Sequence, residues 1–72
     1  PLIQKLKENL SKLKAEYADL SSVFTSHYPK MKRIRSKIKS LERMINKEKH
    51  LIVTTIRTRY ETALQKEKML RT

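Results

Sequence analysis

One proline, Pro29, stands between two apolar repeats, and that arrangement restricts this chain to very few folds. Before it, Ile3, Leu6, Leu10, Leu13, Tyr17, Leu20 and Phe24 recur at alternating spacings of three and four residues. This is the a/d pattern of a heptad, in which one stripe of a helix is apolar and faces a partner. Lys5, Lys7, Lys12, Lys14 and Glu16 fall off the stripe. The pattern lapses through Ser21, Ser22, Thr25, Ser26, His27 and Tyr28. Pro29 biases Tyr28 away from the α region, and in the first turn of a new helix it has no N–H to lose. After it Met31, Ile34, Ile38, Leu41, Ile45, Glu48 and Ile52 resume the same spacing.

If the two segments fold back antiparallel, Phe24 faces Met31, Leu20 faces Ile34, Tyr17 faces Ile38 and Leu13 faces Leu41. Leu10 then faces Ile45, Leu6 faces Glu48 and Ile3 faces Ile52. The residue numbers of every pair add to nearly the same total, a match that two unrelated amphipathic helices would not need. The sequence therefore predicts an all-α fold, an antiparallel two-helix coiled-coil hairpin with a long second helix. Residues 1–72 form one unit, with a helix over about 2–22, a tip over about 23–29 and a helix over about 30–71.

Composition agrees. Glycine and cysteine are absent and the two prolines are Pro1 and Pro29. Without glycine, tight hairpins and phosphate-cradling loops are hard to build, and without cysteine there is neither a disulfide nor a thiolate metal site. The run Leu51-Ile52-Val53-Thr54-Thr55-Ile56 is rich in β-branched residues, as strands are. It lies inside a helical period with no turn residues on either side, so helix is the expectation. Beyond Ile52 the stripe passes through Ile56, Tyr60, Ala63, Glu67 and Leu70, and the successive steps of four to Ile52 and Ile56 form a stutter. The first helix is too short to cover this part. Ile56, Tyr60, Ala63 and Leu70 are therefore expected to contact another chain in a homo-oligomer, or a segment preceding Pro1 in a longer parent.

Little in the chain could carry chemistry. His27 and His50 have no second ligand at metal spacing, and the serines lie in no nucleophile elbow. The reading is a non-enzyme with no cofactor, metal or catalytic residue. Glu48 and Glu67 fall on the stripe, where a lone carboxylate is costly unless it reaches a neighbouring lysine or marks the register. Asn9-Leu10-Ser11 has the form of a glycosylation sequon but lies within the first helix.

The charge is more telling. Eighteen Lys and Arg against seven Asp and Glu give a net charge of +11, an excess that suits an anionic partner. It is densest at Lys30, Lys32, Arg33, Arg35 and Lys37, continuing to Lys39 and Arg43, so the first five are the candidate anion contacts. These residues spread over several helix faces with nothing aromatic interleaved except Tyr28 beside the start, which disfavours a single-strand nucleic-acid platform. Pro29 and the fold-back disfavour a basic-region duplex reader, which needs a continuous helix into a parallel zipper.

The stretch Leu13-Lys14-Ala15-Glu16-Tyr17-Ala18-Asp19-Leu20-Ser21-Ser22, then Phe24, then His27-Tyr28-Pro29-Lys30-Met31, resembles the coiled-coil region of the chain-length-determinant, or polysaccharide co-polymerase, family. Ile34, Ile38, Leu41-Glu42, Ile45 and Glu48 continue that likeness, as do Ile56, Tyr60, Ala63, Glu67 and Leu70. It spans roughly residues 10–72. The resemblance implies a periplasmic arm of a bacterial inner-membrane protein, anchored outside this segment, that oligomerises and governs the length or export of a surface polysaccharide. An anionic polysaccharide is then the partner to expect. Two other readings share the same physics: the hairpin of a secretion-system adaptor or scaffold, and a basic nucleic-acid-binding coiled coil.

Overall fold

A computed structural model describes residues 1–71. It contains two helices, α1 (Leu2–Leu20) and α2 (Pro29–Arg71), and no strand among those residues. The molecule measures 70 × 18 × 12 Å. At 1.5 Å per residue, the 43 residues of α2 account for about 65 Å of that length. Its radius of gyration is 20.2 Å, where a compact chain of this size would have about 11 Å. The β-branched run is helical: Thr54 lies mid-helix and its hydroxyl donates to the carbonyl of His50 at 2.9 Å, so its hydroxyl is satisfied without leaving the helix.

The first helix stops at Leu20, two residues before the expected end. Ser21 and Ser22 explain the early stop. Their hydroxyls donate to the carbonyls of Ala18 (2.7 Å) and Asp19 (2.8 Å), taking acceptors that a further turn would have used. The N–H groups of Val23 and Phe24 both bond to the carbonyl of Leu20, at 3.0 and 2.9 Å, which tightens the last turn. The reversal then runs through Thr25, whose carbonyl accepts from Tyr28 N–H at 3.1 Å. Tyr28 supplies the first carbonyl of α2, accepting from Lys32 N–H at 3.1 Å, so Pro29 occupies the first helical position. The whole reversal is made without a positive φ among the described residues. The rings of Phe24 and Tyr28 stack across it, 4.4 Å apart and 5° from parallel.

α1 and α2 pack along one seam. Ile3, Leu6, Leu10, Leu13, Tyr17, Leu20, Phe24, Met31, Ile34, Ile38, Leu41, Ile45 and Glu48 are all buried or half-buried. Leu6, Met31, Ile34 and Ile45 are the buried core, and Met31 is 0% exposed. Leu10 and Ile45 line one inter-helix groove, Leu13 and Leu41 another, and Tyr17 bonds to Arg35. The partners' numbers thus fall along α2 as they rise along α1. Ile52, expected on the seam opposite Ile3, is 41% exposed. Ile3 belongs to the first turn of α1, and no described residue covers the far side of Ile52.

Met31→Ala should remove about 2–5 kcal/mol through the transfer and cavity terms. Val23→Ala, at a side chain 74% exposed, should change stability by less than about 0.5 kcal/mol. Urea unfolding followed by circular dichroism compares the two. Spin labels at positions 12 and 43 should lie within roughly 20–24 Å, two helix diameters; a continuous helix would hold them about 46 Å apart.

Candidate functional site

The reversal at residues 21–28 brings the densest basic segment to one end of the rod. Lys30, Lys32, Arg33 and Lys37 are all exposed, and among the described residues none of them is ion-paired with a carboxylate. Helix electrostatics makes the arrangement unusual. The N-terminus of a helix carries partial positive charge, which favours acidic residues in the first turn and disfavours basic ones by about 0.3–1 kcal/mol each. α2 has no acidic residue in its first turn, and Lys30 and Lys32 lie there. Such a positive end is unfavourable for the isolated hairpin. An anion near Lys30, Lys32, Arg33 and Lys37 would relieve it.

Arg35 does not belong to this group. Expected among the anion contacts, it is half-buried, and its Nη1 donates to the hydroxyl of Tyr17 at 3.0 Å. Its Cζ lies 5.9 Å from the centre of the Tyr17 ring. Arg35 follows the seam residue Ile34, so its stem lies along the seam's edge and its planar head reaches across to α1. This cross-link joins the two helices about one turn below the tip. One sequence signal points to it: a polar-tipped Tyr within the a/d stripe of α1 needs a partner for its hydroxyl when half-buried.

Two features of the tip were not singled out as functional from the sequence. Val23 is largely exposed, and Tyr28 stands half-exposed on the Phe24 ring. They add apolar and aromatic surface to the basic end. The lapse of the heptad at residues 21–28 hides them, because surface in an irregular turn follows no period.

The remaining expected contacts lie at the other end. Ile56, Tyr60, Ala63 and Leu70 are all exposed, Tyr60 by 65% and Leu70 by 88%. Glu67 on the same stripe pairs with Arg71 at 2.7 Å. A shallow groove of about 240 Å³ runs along α2 where α1 stops, lined by Glu48, Leu51, Ile52, Thr55, Ile56 and Arg59. Among the described residues no group of three or more His, Cys, Asp or Glu could hold a metal ion. No helix among them is long and apolar enough to cross a membrane.

Compared with known protein families, curated proteins and solved structures, the chain matches none.

A polyanion should bind the tip through counterion release, with log affinity falling about 0.9 per phosphate neutralised for each log unit of salt when duplex DNA is the probe. Replacing Lys30, Arg33 and Lys37 together with Gln should flatten that slope by up to about 2.7. Arg35→Gln should change it far less and lower thermal stability instead. Fluorescence anisotropy across a salt series separates the two effects.

Proposed function

We propose that this chain is a non-catalytic structural arm, an antiparallel coiled-coil hairpin that spaces and assembles a larger oligomeric protein and meets an anionic polymer at its basic tip. The observation that supports this reading is the division of labour along the rod. The middle is an apolar seam between α1 and α2, one end presents unpaired cations, and the other an uncovered apolar stripe. Each region offers a different kind of contact.

The finer reading rests on the sequence resemblance over roughly residues 10–72. By that likeness the arm is periplasmic, its parent is held in the bacterial inner membrane outside this segment, and its task is to set the length or export of a surface polysaccharide. An arm of this type acts through geometry, holding neighbouring subunits at a set distance. The basic tip then suits an acidic polysaccharide, whose carboxylates or phosphates would meet Lys30, Lys32, Arg33 and Lys37.

The test is genetic and physical together. In the protein that carries this hairpin, Leu13→Asp with Leu41→Asp should open the seam and shift the length distribution of the cell's surface polysaccharide, read on a gel. Lys30→Gln with Arg33→Gln should leave the fold intact and alter polymer retention instead. An unchanged polysaccharide profile in the seam variant, with the protein present at normal level, would count against the polysaccharide assignment.

A further inference from the structure

Almost all of the chain's positive charge stands on one helix. α1 carries four Lys against Glu8, Glu16 and Asp19, and the other fourteen Lys and Arg lie on α2 against four Glu. Of the net +11, α2 therefore holds +10. The division is sharper on the faces turned away from the seam. On α1 that face carries Lys5 and Lys12 with Glu8 and Asp19, and it is neutral. On α2 the equivalent face carries Lys32, Arg33, Lys39, Arg43 and Lys47, with Ser36, Ser40 and Asn46 among them and no acid. All of these α2 residues are exposed, and among the described residues none of the five cations is ion-paired with a carboxylate.

Solvation alone does not require such a face. The back of α1 meets the same water with balanced charge. Lys39, Arg43 and Lys47 succeed one another at intervals of four, where like charges on a helix repel and weaken it. The acids of this stretch offer no relief. Glu48 is half-buried on the seam, and Glu42 lies beside the groove that Leu10 and Ile45 line. The row is a cost to the hairpin that an anionic occupant would remove.

We propose that an acidic polysaccharide lies lengthwise along the back of α2, from Lys32 to Lys47, and is not held end-on at the tip. This rests on the reading that the hairpin meets an anionic polymer, and it adds where and in which direction the polymer runs. Lys32 and Arg33, already among the tip cations, open the row, whereas Lys30 and Lys37 flank it. The row extends about 22 Å along the helix axis, and Lys39, Arg43 and Lys47 rise about 6 Å apart. A single line of cations at that interval matches one extended chain with a carboxylate on successive sugars. Duplex DNA is a poorer match, since its two strands together present a charge about every 1.7 Å. The row also has no aromatic side chain on which unpaired bases could stack.

Oligogalacturonates of graded length, titrated into the 72-residue chain at low salt, test the placement. Affinity should rise steeply until the oligomer spans about 22 Å, and only gradually beyond. Lys39→Gln with Arg43→Gln and Lys47→Gln should weaken the long oligomers by roughly tenfold or more, because half of the counterion release is lost. Lys5→Gln with Lys12→Gln, on the back of α1, should leave binding nearly unchanged. The triple variant keeps good helix formers and removes like-charge repulsion, so circular dichroism should show its helix content intact. Equal affinity of the triple variant and the parent chain, with short oligomers binding as well as long ones, would establish an end-on contact and overturn the lengthwise path while leaving the anionic-polymer reading standing. No binding of any oligomer at low salt would overturn both. Duplex DNA of equal charge binding more tightly than the oligogalacturonate would overturn the choice of occupant.

Discussion

The rest of this structure depends on burial between two helices, α1 and α2. A hairpin is one layer thick, and among the described residues no sheet or third helix shares the load of excluding water. The a/d residues from Ile3 to Phe24 and from Met31 to Glu48 meet along a single line. Among the described residues four side chains become buried, Leu6, Met31, Ile34 and Ile45. Full burial of a large aliphatic side chain is worth about 1.5–3 kcal/mol, and ordering each residue opposes folding by a comparable amount. Such a seam leaves a small margin. The polar link from Arg35 to Tyr17 and the stacked rings of Phe24 and Tyr28 matter more here than they would in a globular domain.

The same thinness assigns different roles to the two ends. Where α1 stops, α2 continues with its apolar stripe wet, and water around Ile56, Tyr60 and Leu70 favours any partner that removes it. Where the chain reverses, backbone geometry leaves no room for a long apolar stripe, and the helix N-terminus with its cations faces outward. In the proposed reading, a contact at the first end would be driven by release of water and one at the tip by release of counterions, which salt weakens.

Much of this is legible in the sequence. Heptad spacing on both sides of Pro29 implied two helices and a reversal, and the same residues, except Ile52, turn up shielded from solvent. Arg35 was misplaced because a list of charges carries no direction. A cation next to a seam residue can turn outward to water or lie across the seam, and only the position of the Tyr17 hydroxyl decides. The early end of α1 was missed for a related reason. Ser21 and Ser22 are compatible with a helix by propensity, and they terminate it here through hydrogen bonds to Ala18 and Asp19. That competition between side chain and backbone is settled by local geometry.

By itself, the sequence determined that there are two helices, the face of each that must be covered and the surplus of positive charge. These properties repeat with the period of the helix or add residue by residue, so they survive without knowledge of neighbours. The tertiary structure decided where coverage ends, which cations remain available and which aromatic surfaces the turn exposes. Ile52 belongs to the stripe by period, yet it is exposed because the partner helix begins only one turn away. Arg35 counts in the net charge, yet it is occupied by Tyr17. Burial and pairing are relations between residues distant in sequence, and only the folded chain fixes those distances.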